Sequence, residues 1–192
     1  MKPLSLTLKN FGPYINEIID FTKFEDSSLF LISGKTGSGK TTIFDGMSYA
    51  LFGESSGKLR LGKEMRSTFA DPSEATEVTL LFKHNEYLYE LNRLPEQELF
   101  KKRGTGVRKQ SAKISLIVKD AQGKELRSYS KRREVDELIQ ELLHLNANQF
   151  AQIVLLPQGE FRTFLIAKSD EKEKVLRNLF GTELYQLFSE NL

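Results

Sequence analysis

With 192 residues, 39% apolar and 28% charged, the chain is about one domain long, and fourteen Phe and six Tyr give it enough large side chains for a core. It has no cysteine, which excludes a disulfide framework and any thiolate metal site within it. No apolar run approaches the ~18 residues of a membrane span, and the first residues, MKPLSLTLKNF, lack a signal peptide's apolar core; the chain reads as a cytoplasmic protein or a piece of one. The net charge of +2 hides an asymmetry, because residues 99–133 hold twelve Lys or Arg against only Asp120 and Glu125, which points to a polyanionic partner.

Leu4, Leu6 and Leu8 alternate with polar residues, the period of a half-buried strand. Asn10–Phe11–Gly12–Pro13 is a turn, and residues 15–21 read as a second strand. Asp26–Ser28 is another turn, after which Leu29–Ile32 has the continuous apolar character of a strand buried on both faces. A loop rich in Gly, Ser and Thr follows, Gly34 to Gly39. Ile43, Met47, Ala50 and Leu51 then mark a helix ending near Gly53. Residues 54–76 look irregular and exposed. Val78–Lys83 and Tyr87–Arg93 flank a short turn as a hairpin, and Ile114–Lys119 with Glu125–Tyr129 form another. Between them, the polar, basic stretch 95–111 with Gly104 and Gly106 reads as a mobile loop. Val135, Leu138, Ile139, Leu142 and Leu143 mark an amphipathic helix over 131–145, followed by a short helix over 146–152. Ile153–Leu156 reads as a strand stopped by Pro157. Phe161, Phe164 and Leu165 mark a short helix, and Asp170 and Glu173 cap the next, which Gly181 ends; Thr182 starts a last one.

The segment Gly34-Lys35-Thr36-Gly37-Ser38-Gly39-Lys40-Thr41 fits G-x-x-x-x-G-K-[ST]. Glycines let the backbone wrap closely around phosphates with its N–H groups turned inward, and the helix that starts here adds its positive dipole end. Lys40 can reach the β and γ phosphates, and the Thr41 hydroxyl can ligate Mg²⁺. Chance would produce the pattern in roughly one chain of this size in a hundred. A P-loop of this kind also needs an acid for the metal, usually at a strand end. Asp45 lies in the helix, Asp20 ends a strand ahead of the loop and Asp120 sits in a turn, so none fills the role convincingly.

Two further segments, Leu6-Thr7-Leu8-Lys9-Asn10-Phe11-Gly12-Pro13-Tyr14 and Val154-Leu155-Leu156-Pro157-Gln158-Gly159-Glu160-Phe161, together with Leu179–Tyr185 and the P-loop helix, closely resemble the N-terminal ATPase segment of the SbcC family, relatives of the SMC ATPases. The resemblance implies an α/β fold: the N-terminal lobe of an ABC/SMC-type P-loop ATPase head, with a mixed sheet and β-hairpins over 1–181 and the root of a coiled-coil helix over 182–192. It implies ATP and Mg²⁺ as cofactors. Gly34, Lys35, Thr36, Gly37, Ser38, Gly39, Lys40, Thr41 and Thr42 would hold the nucleotide, with Lys9 and Asn10 in an early turn beside it. Gln158 would be the residue that meets Mg²⁺ and the attacking water, so Lys40 and Gln158 carry the catalytic expectation and Thr41 and Gln158 the metal. The implied partners are the C-terminal half of the same head, which would supply the missing acid and signature motif, a second SbcC-type head, an SbcD-type nuclease subunit and double-stranded DNA.

The basic stretch around Lys101, Lys102, Arg103, Arg108 and Lys109 could meet DNA phosphates without reading sequence, or be a solvated loop. His84 and His144 have no ligand companions and read as ordinary surface or boundary residues. A DNA clamp or tether of the same superfamily without a nuclease is the alternative function. A self-contained P-loop kinase would need a lid and an acid that the sequence does not show.

Overall fold

The computed structural model describes residues 1–24, 31–55, 62–101, 103–147 and 149–150. It divides into two compact units, Met1–His144 and Leu145–Leu192. The first unit is built on a six-stranded sheet of order β2-β1-β3-β4-β7-β8, and among the described residues every strand pairing is antiparallel.

Alternation sets the faces. In β1 (Lys2–Phe11), Leu6 and Leu8 point to one side, opposite Leu80 and Val78 of β3 (Glu77–His84). Leu80 in turn faces Leu91 of β4 (Tyr87–Leu94), and Leu91 faces Leu116 of β7 (Lys113–Lys119). All of these are buried, so the core runs in register across four strands. β2 (Tyr14–Asp20) and β8 (Glu125–Tyr129) form the edges. Hydroxyl, amide and charged groups occupy the other face, where the Asn92 amide donates to Glu77 and Thr79 and Lys119 pairs with Glu90.

Two helices cover the apolar face. α1 (Lys40–Phe52) buries Ile43, Met47, Ala50 and Leu51, and α2 (Arg132–Leu143) buries Val135 and Ile139. α1 comes unusually close to β1 at Gly46, where a Cβ would lie 2.6 Å from Leu8 Cδ2. A larger residue there would have to push the Leu8 side chain aside or move the helix off the strand. α1 stops at Gly53, whose φ of 76° suits glycine and whose N–H reaches the Tyr49 carbonyl at 2.8 Å.

The structure departs from the sequence expectations in three places. Residues 95–111 are not simply a loop: β5 (Gln97–Phe100) and β6 (Val107–Gln110) pair as a two-stranded ribbon, with Gly104 and Gly106 at positive φ in its turn. β6, VRKQ, has no apolar alternation to announce it, and its pairing comes from β5, where Gln97 and Leu99 are buried. Residues 54–76 are not uniformly exposed, because Ser55, Met65, Ser67 and Thr76 are buried and Gly62–Met65 forms a 3₁₀ turn. Of the strand expected at Leu29–Ile32, residues 31 and 32 are described, and neither is in a strand; Leu31 is 88% exposed. A strand buried on both faces needs ladder partners at both edges, and no strand among the described residues lies beside this one.

In the second unit, the Asn146 side chain accepts from the Gln149 N–H at 2.9 Å and the Gln149 side chain accepts from the Asn146 N–H at 3.0 Å, a reciprocal cap that opens the expected short helix. The expectations for residues 151–192, including the strand before Pro157, Gln158 and the coiled-coil root, lie outside the described residues.

Candidate functional site

The P-loop and the start of α1 form the site. Gly37 and Gly39 have φ of 84° and 93°, a region that favours glycine, so the loop can turn tightly. Lys40 reaches back across the loop: its ammonium donates to the carbonyls of Gly34 at 2.8 Å and Lys35 at 2.9 Å. An ammonium has three donors, so one remains for an anion after these two. Thr41 lies exposed in the first turn of α1, with Thr42 beside it. Among the described residues no side chain caps this helix end, so the first N–H groups of α1 and its positive dipole end are available to a phosphate.

The β1–β2 hairpin holds the loop from one side. A Cβ on Gly39 would sit 2.5 Å from Pro13 Cγ and 2.9 Å from the Tyr14 oxygen, and one on Gly12 would sit 2.5 Å from Thr42 Cγ2. The two glycines let the Pro13 and Tyr14 side chains pack on the loop backbone and the Thr42 side chain pack on the hairpin tip. The Tyr14 hydroxyl donates to the Gly39 carbonyl at 3.1 Å. Burial first, and the Glu17 carboxylate second, push the Tyr14 pKa up, so the hydroxyl keeps its proton.

The hairpin tip is braced from its other side by segment 65–76. The Gly12 N–H donates to Met65 O at 2.7 Å and the Ser67 N–H to Asn10 O at 2.8 Å. Asn10 is buried at positive φ, its amide donates to Ala75 O at 2.9 Å, and its carbonyl accepts from the Thr76 hydroxyl. Lys9 pairs with Glu74 at 3.3 Å. Arg66 fastens the brace by donating to the carbonyls of Glu74 and Asp71, and Gln97 holds the Thr76 backbone on both sides. Of the residues singled out from the sequence, the structure therefore brings Gly34–Thr42 together as one site. It places Lys9 and Asn10 in the brace beneath the hairpin tip, bonded to protein groups.

Sequence reasoning missed Arg66 and Arg93. Arg93 is buried and closes the far end of α1: it donates to the carbonyls of Ala50 at 3.0 Å and Leu51 at 3.2 Å and pairs with Asp136 at 3.0 Å. Burial lowers its pKa most, and Asp136 opposes that shift. One signal was present, since Tyr89, Leu91 and Arg93 share the inward phase of β4. A cavity of about 680 Å³ lies at this end of α1, lined by Tyr49, Gly53, Arg93, Lys109, Lys113 and Arg132 among others. The nearby Tyr49 is pushed up to about 12 by burial, which Arg93 and Arg132 counter in part.

The two histidines bear out the reading of boundary and surface. His84 is half-buried and its pKa is lowered by burial, then by the chain's N-terminal amine and His144. His144 is exposed and ends α2 at positive φ. Among the described residues, no group of three or more His, Asp or Glu is placed to hold a metal ion, and no helix is long and apolar enough to cross a membrane. For a nucleotide, the backbone cradle and the remaining Lys40 donor fit a phosphate chain. For Mg²⁺, the Thr41 hydroxyl is one suitable donor, and the set needs further ligands.

Comparison with known proteins agrees. A family model described as an AAA domain matches residues 5–188. The SbcC subunits of bacterial SbcCD nucleases are similar throughout: that of Lactococcus lactis subsp. lactis is 46% identical over 100% of this chain, that of Vibrio cholerae 44% over 96%, and that of Staphylococcus aureus (strain JH9) 46% over 100%. This chain spans 18% of the length of each. A solved chain from a study of ATP-driven dimerization and DNA-stimulated activation of SMC ATPases covers 93% of this chain and 99% of its own length, at 18% identity and a TM-score of 0.46. The resemblance to the SbcC family is thus borne out, and with its family model covering nearly the whole sequence, the chain belongs to the AAA domain family and has the fold of a P-loop ATPase lobe.

Proposed function

We propose that this chain is the ATP-binding lobe of a cytoplasmic SbcC-type ATPase that, with an SbcD-type nuclease, processes double-stranded DNA ends in repair and recombination. The observation that carries the reading is the cradle: an uncapped α1 N-terminus, two glycines at positive φ and a Lys40 ammonium held across the loop with one donor remaining. Gly34 to Thr42 bind the nucleotide phosphates, Thr41 and Gln158 ligate Mg²⁺, and Lys40 stabilises the charge that develops on the γ-phosphate. Lys9 and Asn10 shape the edge of the site through the brace. The C-terminal half of the head contributes the acid and signature motif, a second head pairs across ATP, and residues 182–192 begin the coiled coil.

DNA meets the basic ribbon. In the β5–β6 turn and on β6, Lys101, Arg103, Arg108 and Lys109 are exposed, and Lys102 adjoins them in sequence. Contacts of this kind track phosphates rather than bases. Changing Lys101, Lys102 and Arg103 to Ala together would weaken duplex binding equally for unrelated sequences. It would also lower the salt slope by up to roughly three phosphate contacts, about 0.9 each.

The test is made on the whole protein. ATP binding weakened about a hundredfold by Lys40→Ala, ATP-dependent head pairing and co-purification of a metal-dependent nuclease support the reading. ATP binding and DNA binding without any nuclease partner would instead favour a clamp or tether, and failure to bind ATP would overturn both.

A further inference from the structure

We propose that Tyr14 is a positioning residue for the nucleotide: its hydroxyl holds the Gly39 carbonyl so that the Lys40 backbone N–H is aimed into the phosphate cradle. The inference rests on the nucleotide-binding reading of the loop and adds a residue to it. A trans peptide is planar, with its C=O and N–H pointing in opposite directions. The Gly39 carbonyl and the Lys40 N–H belong to one such plane, so whatever fixes the carbonyl fixes the N–H. Two donors fix it. The Ile43 N–H reaches the carbonyl at 3.3 Å, a long first bond of α1, and the Tyr14 hydroxyl reaches it at 3.1 Å.

The loop needs such an anchor because its glycines leave it free. Among the described residues no heavy atom lies within 4 Å of where a Gly37 Cβ would be, so none of them packs on the loop there. At Gly39, by contrast, Pro13 and the Tyr14 ring come within 3.0 Å of that point. Tyr14 is itself held at the first position of β2, opposite Phe11, and the hairpin tip is fastened by Met65 O to the Gly12 N–H. The anchor therefore runs from the sheet through the hairpin to the peptide that opens α1. The ring wedges and the hydroxyl aims, and these two roles separate on substitution.

Isothermal titration of the whole protein with Mg·ATP and with Mg·tripolyphosphate tests this, alongside thermal unfolding. Tyr14→Phe keeps the wedge and removes only the hydroxyl. It is expected to weaken both ligands equally, by about three- to tenfold, with the melting temperature lowered by no more than about 5 °C. Pro13→Ala trims the wedge but leaves the hydroxyl, and tripolyphosphate affinity should stay within about twofold. Unchanged affinity in Tyr14→Phe overturns the inference. So does a loss for ATP without one for tripolyphosphate, which would put Tyr14 against the base, and so does an equal loss in Pro13→Ala, which would make packing the cause. A wild-type protein that binds neither ligand would instead bring down the nucleotide reading itself.

Discussion

The two ends of α1 are made of the same helix and are finished in opposite ways. Every helix leaves about four N–H groups unmet at its start and four carbonyls at its end. At the C-terminal end the chain meets them itself: Gly53 turns back to Tyr49, and the buried Arg93 guanidinium takes the Ala50 and Leu51 carbonyls with Asp136 as its counter-charge. At the N-terminal end no side chain among the described residues caps the helix, the loop is exposed, and the Lys40 ammonium is tethered to two carbonyls. The difference teaches that the fold completes the end on which its stability depends and leaves open the end that a ligand completes.

The comparison breaks first at Arg93. Arg93→Met would leave two helix-end carbonyls without their donor and Asp136 with Arg132 alone, at a cost of about 3 kcal/mol in urea unfolding. The affinity of the folded protein for ATP should not change. At the other end the pattern reverses: Lys40→Ala should weaken ATP binding about a hundredfold, roughly 2.7 kcal/mol, while unfolding moves by no more than about 0.5 kcal/mol. If both substitutions damaged stability alike, the two ends would not differ in kind.

Smaller effects sharpen the contrast. Gly53→Ala puts a side chain at φ 76° and a Cβ 2.8 Å from Arg93 Nη1, and should cost about 2 kcal/mol in stability with no effect on nucleotide affinity. Tyr49 gives a pH signature of the closed end. Its folded pKa, about 12, lies above the unfolded value near 10, so its contribution is complete below pH 10 and is lost as pH rises toward 12. At pH 11 this amounts to about 1.4 kcal/mol, and Tyr49→Phe should show a correspondingly shallower fall in stability between pH 10 and 12 when the two proteins are compared.

Most of the fold is legible in the sequence because its strands obey a simple alternation. β1, β3, β4 and β7 each carry inward apolar residues at every second position, and the two helices repeat at 3.6. The P-loop is legible because its chemistry demands fixed residue types at fixed spacing. Interactions that join distant segments through polar groups are not legible. Arg66 and Gln97 knot residues 71–76 to β5, and Arg93 links β4 to both helices; beyond the inward phase of Arg93 on β4, nothing local distinguishes them from solvated side chains. The run at Leu29–Ile32 misleads for the complementary reason, since apolar character reports a wish for burial and not the partner that provides it.

Gly46 gives the site a mechanical property. The helix backbone there rests directly on the Leu8 side chain, with no side chain of its own in between, so the joint has little slack. The hairpin that continues β1 meets the same helix again at Thr42, one turn earlier. Two stiff joints on one short rod remove its freedom to tilt. A shift of β1 would then reach the phosphate loop through these two contacts, Leu8 on Gly46 and Gly12 on Thr42.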